Sequence, residues 1–239
     1  MQDQFSRTQL LLGDKAMARL SRSHIAVFGV GGVGGYAVEV LARSGVGALT
    51  LIDNDYVSTT NINRQIIALL STVGRPKVEV ARERILDINP ECKVTTLQQF
   101  YLPENADEID LTTFDYVVDC IDTVKAKLEL IRRCRSLNVP IICSMGAANK
   151  MDATAFRVAD IEKTSVDPLA KIIRKKLRKE GIRGVKVVYS EEEPLLSAKP
   201  TEEAIPEGRH TIPASNAFVP AAAGLIIGGE VIKDLILDL

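Results

Sequence analysis

The chain has 239 residues, 46% hydrophobic and 26% charged, with a formal net charge of −1. That is enough for a substantial α/β core, and it excludes both a disordered composition and a global positive field that would draw nucleic acid to the whole surface. The polar amino-terminus has no basic segment leading into an apolar stretch, and the longest weakly polar run, Ala217 to Gly229, is too short to span a bilayer. The sequence therefore reads as a cytoplasmic protein with no membrane contact.

Ser6 to Leu20 is predicted to be one amphipathic helix. "HIAVFGV" is a buried strand, Gly29 to Gly34 a tight turn, Val33 to Ser44 a helix, and "ALTLID" the next strand. Such a strand–helix–strand unit makes a parallel pair with a right-handed crossover. Lys77 to Asn89 is helical and ends at Pro90. "CKVTTLQQF" and "YVVDCID" are strands, Lys125 to Leu137 is a helix, and "PIICSMGA" is a further strand. The alternation predicts a Rossmann-like, doubly wound, mainly parallel α/β sheet covered on both faces.

After about residue 150 the texture changes. "TAFRVADI" is expected to be a strand of a different sheet, "DPLAKIIRKKLRKEGIRG" a basic helix with its exit turn, and "VKVVYSEE" a strand. A proline-bearing loop precedes a closing apolar helix over "NAFVPAAAGLIIGGEVIKDLILDL". The division expected is 1–150 as a nucleotide-binding core and 151–239 as a substrate-facing part of the same domain. The four cysteines, Cys92, Cys120, Cys134 and Cys143, form no C-x-x-C pair, which argues against a structural zinc site. Cys120 and Cys143 sit in apolar runs and read as buried thiols, not nucleophiles.

Gly29-Val30-Gly31-Gly32-Val33-Gly34 fits G-x-G-x-x-G between a strand and a helix. Glycines let the backbone turn tightly and approach a phosphate, which meets the N–H groups of the helix start. Asp53 ends the next strand, where a carboxylate can bond ribose hydroxyls. Just downstream come a second acid, Asp55, then Asn61, Arg64 and Gln65. Lys77 starts a helix, and Asp122 follows the strand "YVVDCID". This gathering exceeds what a dinucleotide pyrophosphate needs. It suits a triphosphate whose charge is neutralised during attack at phosphorus, with Mg²⁺ held by a carboxylate.

Together "GxGGxG", "LIDxD", "TNxNRQ", "VGxPK" and "DCID" resemble the ubiquitin-activating-type (ThiF/MoeB/HesA) adenylating fold over about residues 5 to 150. The resemblance implies that Gly29, Gly31, Gly32 and Gly34 line the ATP phosphates and that Asp53 binds the ribose. Asn61, Arg64 and Lys77 would contact phosphates, with Gln65 beside them, and Asp122 would lie near Mg²⁺ and the reacting phosphate. Asp55 would lie near the nucleotide. Arg7, in "QFSRTQLLLG", matches an arginine that the family supplies from the partner subunit, which implies a homodimer.

Zinc-binding C-x-x-C pairs of the sulfur-carrier activators are absent, as is any cysteine after Cys143 for a thioester. The stretches "INPECKVTTLQQF", "DIEKTSVDPLAKIIRKKLRK", "VVYSEE" and "SNAFVPAAAGLIIGGEVIKDLI" resemble the tRNA threonylcarbamoyladenosine dehydratase branch. That branch implies an acyl-adenylate of the modified nucleoside that cyclises on itself, so the nucleophile is already tethered. It also implies tRNA as partner, a sulfurtransferase or cysteine desulfurase as a candidate partner, and a monovalent cation as a candidate beside ATP and Mg²⁺. The alternative within the fold is an activator of a sulfur-carrier, ubiquitin-like C-terminus.

The basic run supports a polynucleotide partner. Lys171, Arg174, Lys175, Lys176, Arg178 and Lys179 crowd one helix, where phosphate contact would be salt-dependent and sequence-blind. Helical spacing places Lys171, Lys175 and Arg178 on one side and lets Ile172, Ile173 and Leu177 face the protein. A merely solvated helix face is the other reading of such a run. His24 reads as structural, and His210, in the loop before "ASNAF", reads mainly as solvent-facing. Tyr101 and Tyr189 read as packing residues.

Overall fold

The computed structural model describes residues 3–195 and 213–237. Two short helices, α1 (Ser6–Leu12) and α2 (Asp14–Leu20), open the chain. The sequence suggested one continuous helix, but Gly13 breaks it: its φ of 83° lies in the left-handed region. Then follow β1 (His24–Phe28), α3 (Gly34–Arg43), β2 (Ala48–Ile52), α4 (Lys77–Ile88), β3 (Lys93–Leu97), β4 (Tyr116–Asp119), α5 (Val124–Leu137) and β5 (Ile141–Ser144). The chain continues through β6 (Phe156–Asp160), α6 (Pro168–Lys179), β7 (Lys186–Ser190) and α7 (Val219–Ile236).

One seven-stranded sheet runs in the order β3-β2-β1-β4-β5-β7-β6. All neighbours are parallel except β6, which pairs antiparallel with β7. The expected second sheet is therefore corrected: "TAFRVADI" supplies the edge of the first one. Val158 explains why the run reads as it does. An edge strand is covered less completely, and Val158 stays 38% exposed.

Cores lie on both faces. One packs α3, α4 and α7 over β1 and β2, the other packs α5 and α6 against β4, β5 and β7. α7 lies close along α3 because Gly224 and Gly228 carry no side chain. A Cβ at Gly224 would stand 2.2 Å from the Val33 carbonyl oxygen, and one at Gly228 would stand 2.6 Å from the Val40 Cβ. Strand order reverses direction between β1 and β4. That switch opens a crevice at the carboxyl ends of the strands, where ligands of open α/β sheets bind.

Candidate active site

The glycine turn forms one lip of the crevice. Gly29 has φ of 88°, and a Cβ there would meet the Cys120 carbonyl oxygen at 2.8 Å. A Cβ on Gly34 would fall 1.8 Å from the Gly29 carbonyl oxygen, so only glycine lets α3 start this close to β1. Gly31 meets nothing nearer than the Gln65 Nε2, at 3.7 Å. The turn thus leaves room for an anion in front of the α3 amino-terminus.

Asp53, just past β2, ties this turn down. One carboxylate oxygen accepts the Val30 N–H at 2.7 Å and the other the Asp55 N–H at 2.9 Å. Two of its roughly four lone-pair directions stay available for hydroxyl donors. Burial raises its pKa above the ordinary range, against the nearby charge of Lys77 and the two N–H donors.

The second carboxylate has a partner of its own. Asp55 accepts from Lys77 Nζ at 2.6 Å, and the Lys77 backbone N–H donates to the Asp55 carbonyl. Lys77 is only 5% exposed, so Asp55 balances a cation that burial would otherwise penalise. Arg64 donates to the Thr60 carbonyl and to Asn63 Oδ1, both at 2.9 Å, and its stem lies 3.4 Å from where a side chain on Gly32 would begin. Gln65 is buried with its Oε1 lacking any hydrogen bond among the described residues. Asn61 is buried as well, and its Oδ1 accepts the Ser58 N–H at 3.1 Å, fixing the start of this loop. Asp122 stands exposed in the loop after β4.

The far wall of the crevice is a web of short bonds. Asn63 donates to the Ser215 carbonyl at 3.1 Å, and the Ala214 N–H donates to Asn149 Oδ1 at 2.7 Å. Asn216 donates to the Lys150 carbonyl at 2.7 Å. The Arg64 loop, the loop after β5 and the lead into α7 are thereby joined. His210 lies outside the described residues, as does most of the proline-bearing loop.

Arg7 is exposed on α1. The chain around it, at Phe5 and Gln9, forms a cleft of about 590 Å³ with Gly45, Gly47 and Asn89, which precede β2 and β3. That is the amino-terminal end of the strands, opposite the carboxyl end that carries the glycine turn, so Arg7 does not join the crevice of its own chain.

α6 begins at Asp167, whose side chain accepts the Ala170 N–H at 2.8 Å and the Gly146 N–H at 2.9 Å. Ala170, Ile173 and Leu177 are buried, but Ile172 is 45% exposed, which corrects its expected inward orientation. Helical rotation puts it beside Lys171 and away from the seam. Arg174 is engaged with Thr164, and Arg178 pairs with Glu162 at 2.6 Å. Lys171, Lys175, Lys176 and Lys179 are exposed and make no ion pair among the described residues.

Cys143 and His24 behave as expected, whereas Cys120, expected to be buried, is only partly so because it lies just past the end of β4. Cys143 is fully buried, and burial pushes the Cys120 thiol up to about 12. His24 bonds Thr50 Oγ1 at 2.9 Å and packs edge-on against Phe114. Tyr101 and Tyr189 are both buried. What the sequence reading missed is a fully buried pair, Asp119 and Lys127, at 2.6 Å beneath the β4–α5 loop. Its signal was present: Lys127 falls on the apolar stripe of Leu130, Ile131 and Cys134, at i+3, i+4 and i+7.

A family model described as the ThiF family matches residues 5–237. The chain belongs to the ThiF family. Within the family it is 49% identical over 246 aligned residues to the tRNA threonylcarbamoyladenosine dehydratase of Bacillus subtilis (strain 168), covering 100% of this chain and 97% of that protein. Its fold matches the crystal structure of the Escherichia coli tRNA N6-threonylcarbamoyladenosine dehydratase, TcdA, in complex with AMP. The TM-score is 0.88 at 38% identity, with 98% of this chain and 94% of that chain covered. The same enzyme in complex with ATP matches with a TM-score of 0.87, at the same identity and coverage. The molybdopterin-synthase adenylyltransferase of Escherichia coli is 38% identical over 151 residues, which cover only 60% of this chain and 57% of that protein. Among the described residues no helix is long and apolar enough to cross a membrane.

Proposed function

We propose that the chain is an ATP-dependent tRNA threonylcarbamoyladenosine dehydratase. The single observation that carries this reading is the near end-to-end match, at 49% identity, to a protein of that activity. A shared adenylation core alone would leave the sulfur-carrier alternative equal. The likeness to the molybdopterin-synthase adenylyltransferase covers only 60% of this chain.

In this reaction the carboxylate of the threonylcarbamoyl group attacks the α-phosphorus of ATP and pyrophosphate leaves. A nitrogen of the same nucleoside then attacks the acyl-adenylate carbonyl carbon, a ring closes, and AMP departs. The nucleoside loses one water overall. Because the nucleophile is tethered, good geometry replaces a covalent enzyme intermediate and is worth roughly 7–11 kcal/mol. The buried, high-pKa cysteines fit a reaction that needs no thiolate.

The geometry supports the following roles. The glycine turn Gly29–Gly34 admits the phosphates. Asp53 accepts ribose hydroxyls with its remaining lone pairs. Arg64, Lys77 and Asn61 stabilise charge on the phosphates, and the amide nitrogen of Gln65, which faces Gly31, can donate at the same place. Asp55 holds Lys77 in place. Among the described residues no group of three or more His, Cys, Asp or Glu is arranged to hold a metal unaided. Mg²⁺ accompanying ATP needs only one or two carboxylates besides phosphate oxygens, and Asp122 is the residue that would hold it. Bound there, Mg²⁺ would neutralise phosphate charge.

The dimer belongs to the same proposal. Arg7 sits at the end of the sheet remote from its own crevice, and α1 leaves Leu10 and Leu11 exposed at 88% and 83%. A second copy covering that helix would bury both leucines and bring Arg7 to the partner's ATP. Residues 1–150 then form the adenylation core and 151–239 the tRNA-facing part, with the α6 lysines as its phosphate contacts.

The test measures AMP release from ATP and Mg²⁺, with and without tRNA carrying threonylcarbamoyladenosine, followed by mass analysis of the digested nucleosides. Loss of one water in step with AMP is expected. Activity that ignores this tRNA, but depends on a carrier protein with a Gly-Gly tail, would move the assignment to the alternative. Asp122→Ala is expected to stop turnover while leaving the melting temperature near that of the unaltered protein. Normal activity would remove Asp122 from the site.

A further inference from the structure

The buried ion pair beneath the β4–α5 loop has no part in the roles above. Asp119 is the last residue of β4 and Lys127 lies in the first turns of α5; both side chains are 0% exposed. Lys127 Nζ donates to Asp119 Oδ2 at 2.6 Å and to the Ser144 carbonyl at 2.9 Å. Asp119 Oδ1 accepts the Ile121 N–H at 3.0 Å. Burial works against the charge of Lys127, but the charge and hydrogen bond of Asp119, together with the neighbouring Cys143 and Cys120, outweigh it and the lysine pKa is raised. The pair therefore staples both ends of the loop Cys120–Thr123, and through Ser144 it also fixes that loop to β5. On its other side the loop rests against the glycine turn, since the Cys120 carbonyl abuts Gly29. Asp122 is inside this staple.

Stability alone does not account for such a pair. Two apolar side chains of similar volume usually hold a core as well or better, because they avoid desolvating two charges. An ionic pair supplies something they do not: directional bonds to a chosen N–H and a chosen carbonyl. Here those bonds end on Ile121, next to Asp122, and on Ser144. We propose that Asp119 and Lys127 are positioning residues that set the β4–α5 loop so that Asp122 meets the reacting phosphate. The proposal rests on the reading of Asp122 given above. A displacement near 1 Å at a reacting centre can cost on the order of 10²-fold in rate.

The test replaces the pair by an apolar one, Asp119→Leu with Lys127→Met, in the full chain. The variant is expected to fold with a melting temperature close to the unaltered protein. Its kcat for tRNA-dependent AMP formation should fall about 10²-fold, with KM for ATP changed far less, because Asp53, the ribose ligand, is held by Val30 and Asp55 and not by the pair. Adding Asp122→Asn should cost little more, since groups acting as a unit are not additive. Lys127→Arg keeps the charge and should recover most of the rate. If the apolar pair does not fold, Asp119→Asn carries the same readout, because it keeps shape and an acceptor while dropping the charge. A folded variant with unaltered kcat overturns the proposal, and so do losses that multiply fully with Asp122→Asn. An inactive Asp122→Asn beside a fully active apolar pair sinks the staple alone. A fully active Asp122→Asn sinks the role of Asp122 and the staple together.

Discussion

The cations over the crevice and the cations on α6 are built in opposite ways. Lys77 is 5% exposed and locked to Asp55, and Lys127 is 0% exposed and locked to Asp119. Lys171, Lys175, Lys176 and Lys179 stand in solvent without ion pairs among the described residues. Burying a charge is costly unless it is paired, so a fixed cation implies a task that needs fixed geometry. Stabilising charge on one phosphate group during attack is such a task. A polyelectrolyte needs no single geometry, and loose lysines suit it because binding comes from counterion release and tolerates many registers. The contrast between paired, buried lysines and unpaired, exposed ones is what supports the separate roles proposed for them.

The comparison breaks most readily at Lys77. Lys77→Ala removes one preorganised donor and leaves Asp55 without its partner. AMP formation should fall by about 10²–10³-fold in kcat at saturating ATP. A circular dichroism spectrum and a melt on the same sample would confirm that the fold survives. A change confined to KM would mean that Lys77 binds the ground state and the transition state equally.

The α6 side should behave differently. Lys175→Gln with Lys176→Gln should weaken tRNA binding and lower the slope of log affinity against log salt by about 2, one for each lost phosphate contact. Binding of ATP, followed by calorimetry, should not change. An unaltered salt slope would show that the tRNA docks on another face and that α6 is merely solvated.

The smallest effect concerns neither set of cations. Burial lowers the His24 pKa below its ordinary value, with the Asp115 charge opposing. Between the folded pKa and 6.5 the unfolded chain binds the proton more readily, so stability falls as pH drops through that window. His24→Asn should flatten the pH dependence of the melting temperature there and leave turnover near neutral pH unchanged. A dependence as steep as before would assign it to other groups.

How far the site was legible can be argued residue by residue. Gly29, Gly34 and Asp53 follow from local demands: a left-handed turn, a close strand–helix approach and a carboxylate at a strand end are written within about 25 residues of each other. The four exposed lysines of α6 were legible as a charged run, but Arg174 and Arg178 were not separable from them. Their partners, Thr164 and Glu162, lie before the helix, in a turn whose path the sequence does not specify.

By itself, then, the sequence determined the glycine turn, the strand-end acids, the alternating α/β order and, through their combination, the ThiF-type adenylating reading. These depend on short-range backbone geometry and on periodic burial, which neighbouring residues impose. Only the tertiary structure decided that β6 closes the same sheet in antiparallel sense, that Arg7 sits at the end of the sheet remote from its own crevice, and that Asp55 pairs with Lys77. It alone decided that Asp119 and Lys127 share a buried bond with Ser144. Such pairings join segments whose approach is set by strand order and helix packing, and a charge buried by that approach takes whichever opposite charge the fold brings within reach.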